Sequence, residues 1–140
     1  MTRLAVPLDF RTLIPDTRPR RWLVLPDGFD AKAAPDRTSP VFAAEPAALL
    51  ATFEQTALAA PRVTAAGAHG LQRAFVQRSA VFRFPDDVIV EAVAVAGGSA
   101  LCVYSRSRVG RYDFGVNEKR VRGWIEETAR RLDQADGSAK

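Results

Sequence analysis

Apolar positions along the chain change period several times, and these changes outline the expected elements. Leu49, Leu50, Phe53 and Ala57 recur at helical spacing, and Pro46 suits a first helical position, where its missing N–H is not needed. This predicts a helix from about Glu45 to Leu58, with Pro61 just beyond its end. A second stripe, Val121, Trp124, Ile125, Thr128 and Leu132, predicts a helix from about Asn117 to Leu132. Asn117 is a good N-cap there, and Arg130 and Arg131 near the other end complement the helix dipole.

The stretches outside the helices read as strands and turns. Arg20–Leu25 predicts a short strand ended by the turn signature Pro26-Asp27-Gly28, and residues 26–40 read as an irregular crossing. Arg62–Ala66 predicts a strand, with Gly67-Ala68-His69-Gly70 as the turn after it. Leu71–Phe84 reads as one long strand or a bulged pair. Ala74, Val76, Ala80 and Phe82 share a face that Arg78 interrupts, a pattern that signals a bulge or a site. Asp87–Ala96 and Ser99–Arg108 flank Gly97-Gly98, a two-residue hairpin signal. With those glycines as the loop, Val90 faces Ser105, Ala92 faces Val103, and Asp87 faces Arg108. The face holding Val88, Val90 and Ala92 is then the core side; a slip of one residue would exchange the faces.

The order short β, α, several β, α predicts an α+β domain: an antiparallel sheet of about four or five strands with two helices packed on one face. Residues 1–19 are expected as an extended or partly ordered arm, 20–132 as a single domain, and 133–140 as a polar tail.

Composition narrows the chemistry. Twenty basic residues include only three lysines, Lys32, Lys119 and Lys140, so arginine supplies nearly all the positive charge. Its planar fork suits carboxylates and phosphates, although an arginine- and alanine-rich chain also arises from a GC-rich genome. The single cysteine, Cys102, excludes an intrachain disulfide, and the single histidine, His69, speaks against a zinc centre. No cofactor is expected, and no apolar run approaches a transmembrane length. The first residues lack a continuous apolar core of a signal peptide, which predicts a cytoplasmic protein. The basic residues are interleaved with acids and no nucleic-acid motif appears, so no nucleic-acid partner is expected despite a pI near 9.8.

Three pieces carry a family resemblance: Phe75-Val-Gln-Arg-Ser79, Phe82-Arg-Phe-Pro-Asp-Asp-Val88, and Tyr104-Ser-Arg-Ser-Arg-Val-Gly-Arg-Tyr-Asp-Phe-Gly-Val-Asn-Glu-Lys-Arg-Val121. The chain resembles the family of domain of unknown function 1499 over roughly residues 20–132, most strongly from residue 71 on. The resemblance implies a bacterial protein of a kind often exported or lipid-anchored, with relatives in chloroplasts. It implies a fold unit and no agreed reaction. Members often carry Cys-Pro and a second Cys before the first helix. Here Leu25-Pro26-Asp27-Gly28-Phe29 stands in that region without a cysteine, a departure that speaks against carrying over a redox, metal or lipid-anchor role.

The densest chemistry lies in Ser105–Arg120. Arg78, Arg106, Arg108, Arg111 and Arg120 are expected to converge where the last strand meets the final helix, beside Asn117 at the helix start. A helix start offers unpaired N–H groups and the positive end of the dipole, which favour an anion. One reading is therefore a site for a small anionic ligand, a phosphate or carboxylate. The other is an ion-pair network in which Asp86, Asp87, Glu91 and Asp113 neutralise the arginines. The functional expectation is a non-enzymatic binding or structural domain. The alternative is a small hydrolase-like or transferase-like enzyme with Asp86, Asp87 or Asp113 as general base; no catalytic residue is assigned.

Overall fold

The computed structural model describes residues 3–138. Its strands are β1 (Arg21–Leu25), β2 (Arg37–Thr38), β3 (Val63–His69), β4 (Gln72–Arg78), β5 (Pro85–Val95) and β6 (Gly98–Ser107). The helices are α1 (Pro46–Ala59), between β2 and β3, and α2 (Val116–Ser138), after β6. The fold is α+β, but the sheet has six strands where four or five were expected, in the order β2-β1-β6-β5-β4-β3. It is mixed: β1 and β2 run parallel, and every other pair is antiparallel. The extra strand β2 has only two residues, taken from the crossing expected to be irregular.

Both helices cover one face. Leu49, Leu50 and Phe53 of α1 and Val121, Trp124 and Ile125 of α2 close over Phe75, Val88, Val90, Leu101 and Val103 of the sheet. Phe53, Phe75 and Trp124 meet at centroid distances of 6.0–6.4 Å, two of the three pairs edge-on. Edge-on rings place positive rims against negative faces, which adds to the area buried.

The opposite face is also buried, because the N-terminal segment, expected as an extended or partly ordered arm, packs across it. Phe10, only 2% exposed, packs with Leu23, Leu25, Ala74, Ile89, Cys102 and Tyr104, and Leu4, Val6, Leu8 and Leu13 extend the cluster. The Leu8 N–H donates to Gln72 Oε1 at 2.8 Å, and the Asp16 N–H donates to the Tyr104 hydroxyl at 2.8 Å. A sheet with both faces covered explains why Val88, Ile89 and Val90 are consecutively buried.

The hairpin between β5 and β6 turns one residue earlier than expected. Val95 pairs with Gly98, Val90 with Val103, and Asp87 with Arg106. Gly98 therefore lies in the strand, with φ +147°, because Phe42 bridges to Ser99 beside it and a Cβ there would stand 1.9 Å from the Phe42 carbonyl oxygen. The pairing moves by two positions in total, so each residue keeps its face, and the core side is the one expected.

Three other expectations are corrected. Gly67 lies within β3, at an irregularity of register, and the turn falls at Gly70-Leu71. The strand expected to reach Phe84 ends at Arg78, and Val81, Phe82 and Phe84 are exposed in the following loop. Helix α2 continues through Ser138, so most of the expected polar tail is helical; the last two residues lie outside the described range.

Candidate functional site

Strand parity decides how the arginine-rich stretch is arranged. Alternate residues of β6 leave opposite faces. Ser105 and Ser107 point toward α2, and Arg106 and Arg108 point to the face covered by the N-terminal segment. The expected convergence of Arg106, Arg108, Asn117 and Arg120 therefore does not form; the sheet separates two clusters.

On the helix side, Asn117 is fully buried. Its Nδ2 donates toward the Arg20 carbonyl oxygen at 3.0 Å, Ser107 Oγ at 2.9 Å and Asp113 Oδ2 at 2.8 Å. Its Oδ1 accepts from Ser105 Oγ at 2.6 Å and Arg120 Nη1 at 2.8 Å. Arg120 also donates through Nη1 to Ser105 Oγ at 3.0 Å, through Nη2 to Asp86 Oδ2 at 2.7 Å, and through Nε to Gln77 Oε1. The Arg120 side chain is 7% exposed, and each of its three guanidinium nitrogens has an acceptor.

Asn117 is thus a hub one residue inside α2 and not its N-cap. Asp113 supplies the terminal oxygens: Oδ1 accepts from the Gly115 N–H at 2.9 Å, and Oδ2 from the Asn117 N–H at 3.3 Å. The loop before α2 is pinned from outside as well. The Asp113 N–H donates to the Pro19 carbonyl oxygen at 3.1 Å, and Arg20 Nη1 donates to the Gly110 carbonyl oxygen at 2.7 Å.

On the other face, Asp87 is 2% exposed. The Arg108 guanidinium grips it with two parallel bonds, Nε to Oδ2 and Nη2 to Oδ1, both 2.8 Å. Such forked pairing is the strong geometry for a charge-assisted bond. It raises the Arg108 pKa against the opposing effect of burial. Arg106 Nη2 lies 3.5 Å from Asp87 Oδ2, and the Leu4 N–H donates to that oxygen at 3.3 Å.

The remaining expected site residues lie elsewhere. Arg78, at the end of β4, is exposed and donates to the Arg83 carbonyl oxygen at 3.0 Å. Arg111 is exposed on the loop before α2. Glu91 pairs with no arginine of this group; its Oε1 accepts from Gln72 Nε2 at 2.9 Å.

Sequence reasoning missed Arg20 and Asp16. Arg20 is 2% exposed, and its Nε lies 2.7 Å from Asp16 Oδ2. Burial disfavours the Asp16 charge, but hydrogen bonds from the Arg18 N–H and the Arg20 guanidinium hold its carboxyl below the usual range. The only signal was the four-residue spacing of an acid and a base, at the edge of a segment read as extended or partly ordered.

Two concavities flank the helix-side cluster. One, of about 260 Å³, lies between β1, the β2 edge and α2, walled by Val24, Thr38, Pro40, Val121 and Ile125. The other, of about 510 Å³ and open, is walled by Pro61, Arg62, Gln77, Lys119, Arg120 and Trp124. Among the described residues, no group of His, Cys, Asp and Glu is arranged to hold a metal ion, and no helix is long and apolar enough to cross a membrane.

These features define an α+β domain with a buried charged network where its last strand meets its last helix. The model of the family described as protein of unknown function (DUF1499) matches residues 21–127, and the chain belongs to that family. No curated protein and no solved structure matches the chain.

Proposed function

We propose that the chain is a non-enzymatic binding domain whose charged network is a scaffold that fixes the loops at one end of the sheet. The observation that carries this reading is Asp87: it is 2% exposed, and both carboxylate oxygens are engaged by Arg108. Asp86 and Asp113 are likewise used as acceptors, by Arg120 and by the start of α2. A general base needs a carboxylate within reach of a substrate proton; Asp87 is buried, and Asp86 and Asp113 are each engaged by donors of the protein itself, which weighs against the hydrolase-like or transferase-like alternative.

The test is thermal unfolding of wild type and Arg108→Ala, in phosphate and in chloride at matched ionic strength. Removing one partner of a buried pair costs about 3–5 kcal/mol. The lower end is expected here, because Arg106 and the Leu4 N–H still face Asp87. The scaffold reading expects that loss in both salts, with the same phosphate response in the two proteins. A phosphate stabilisation that vanishes in Arg108→Ala, without loss in chloride, would overturn it.

A small-anion reading has separate support in the open concavity, where Arg62 and Lys119 stand beside Arg120. It expects a phosphate stabilisation that survives Arg108→Ala and is lost in Lys119→Ala, since a ligand selective for the folded state raises its stability by mass action.

A further inference from the structure

The exposed apolar side chains are not scattered. Among the described residues, six of the eleven large exposed ones fall in two loops, Val81, Phe82 and Phe84 in the first and Val109, Tyr112 and Phe114 in the second, and Val116 at the start of α2 adjoins the second. Every exposed aromatic ring among the described residues is in this set: Phe82 at 73%, Phe84 at 46%, Tyr112 at 63% and Phe114 at 93%. Both loops leave the same end of the sheet, one joining β4 to β5 and the other following β6. The Arg108 N–H donates to the Pro85 carbonyl oxygen at 3.2 Å, tying one to the other.

Both loops are shaped before any partner arrives. The Ser79 N–H donates to the Phe84 carbonyl oxygen at 3.0 Å and closes the first, and the buried network holds the second. Within each loop two rings stand together, Phe82 and Phe84 at 5.4 Å and nearly parallel, Tyr112 and Phe114 at 6.3 Å.

The outward charge of these loops has one sign. Arg78, Arg83 and Arg111 are exposed; the first loop contains no acid, and the one acid of the second, Asp113, is half-buried with both oxygens accepting from the start of α2. A second copy docking end to end would bring these arginines together, which like-charge repulsion opposes. None of the four rings walls either concavity beside the network, or the third that Asp113 and Gly115 help to wall, so the rings stand outside these concavities instead of lining them for a peptide. A ring left 93% exposed at a loop tip suits a soft phase that closes around it. Aromatic side chains favour the boundary between headgroups and acyl chains, and arginines beside them reach lipid phosphates.

We propose that this end of the sheet docks on an anionic bilayer surface, with the rings of Phe82, Phe84, Tyr112 and Phe114 entering the headgroup–acyl boundary and Arg78, Arg83 and Arg111 meeting lipid phosphates. The inference rests on the binding-domain reading and names its partner. That reading is decided by the Arg108→Ala comparison, which involves no lipid, so the two can fail separately.

The test is co-sedimentation of the full chain with vesicles of phosphatidylcholine containing one third phosphatidylglycerol, against phosphatidylcholine alone. Wild type is expected on the anionic vesicles and largely in the supernatant with the neutral ones. A basic residue near an anionic surface contributes about fivefold in partitioning, so Arg83→Ala with Arg111→Ala is expected to weaken binding by about 25-fold. Phe82→Ser with Phe114→Asn is expected to weaken it at least about tenfold. These four positions are exposed, and Asn tolerates the left-handed backbone of Phe114, at φ +54°, so both pairs should melt at the wild-type temperature. Phe82→Trp should be quenched by vesicles of brominated lipid. No partition onto anionic vesicles, partition indifferent to the ring substitutions, or capture by polyglutamate without partition would each overturn the proposal, the last in favour of an acidic protein partner.

Discussion

Asn117→Ala tests whether the buried network holds the end of the sheet together. The substitution removes both bonds accepted by Oδ1 and those donated by Nδ2 toward three acceptors. Not every partner is stranded. The Arg20 carbonyl oxygen still receives the Ser107 N–H at 3.0 Å, Ser105 Oγ still receives Arg120 Nη1, and Arg120 keeps Asp86 and Gln77. Ser107 Oγ loses its donor in a place too buried to rehydrate. Two neutral bonds at about 1 kcal/mol each, one charge-assisted bond at about 1.5 and one stranded oxygen at about 1 amount to about 4.5 kcal/mol. A domain holds about 5–15 kcal/mol in total, so the variant should unfold at much lower urea with an unchanged slope. Asn117→Asp keeps the size and removes the donors, and it sets a carboxylate where Nδ2 stood 2.8 Å from Asp113 Oδ2. Its loss should exceed that of the alanine variant at neutral pH and shrink as the pH falls and the new carboxyl is protonated. A loss below about 1 kcal/mol for Asn117→Ala would refute the hub.

Trp124→Ala, which empties the aromatic cluster under α2, should cost about 3–5 kcal/mol in denaturant unfolding, as truncation of a buried ring does; a loss under about 1 kcal/mol would place α2 off the core. Gly98→Ala should be strongly destabilising, by at least about 2 kcal/mol in the same assay, because its Cβ would meet the Phe42 carbonyl oxygen at 1.9 Å and φ is +147°; wild-type stability would contradict the strand position of Gly98. Burial pushes the Cys102 thiol up to about 12. Its pKa is raised in the fold, so its contribution is complete below the ordinary thiol range and is lost as the pH rises toward that value. In the native state at pH 8 it should resist iodoacetamide until urea unfolds the chain, and rapid native labelling would place it at the surface.

Much of the local structure was written in the spacing of residues. Leu49, Leu50, Phe53 and Ala57 marked α1 because a helix must bring residues three and four apart onto one face. The β5–β6 hairpin was legible for the matching reason in strands. Its faces survived an error in the turn because the pairing moved by two positions, which preserves parity. The same parity separates Asp86 from Asp87, and Arg106 and Arg108 from Ser105 and Ser107. It was available in the sequence, and it already argued against one convergent arginine site.

The remainder depended on contacts between distant segments. Nothing in residues 3–19 signals a regular element, since Phe10 and Leu8 are ordered by what they lie on, the sheet face that carries Ile89, Cys102 and Tyr104. Gly98 entered the strand because Phe42, far away in sequence, bridges to Ser99. Asn117 looked like a cap because local rules favour Asn at a helix start. Its burial, and its bonds to Arg20, Ser105 and Arg120, arise only once β1, β6 and α2 are packed together. Whether an arginine binds a ligand or a neighbouring carboxylate is likewise a matter of three-dimensional neighbours. Charge and spacing determined that arginines and acids would share one end of this protein; tertiary packing turned Arg108 and Arg120 inward and left Arg83, Arg111 and the rings beside them facing out.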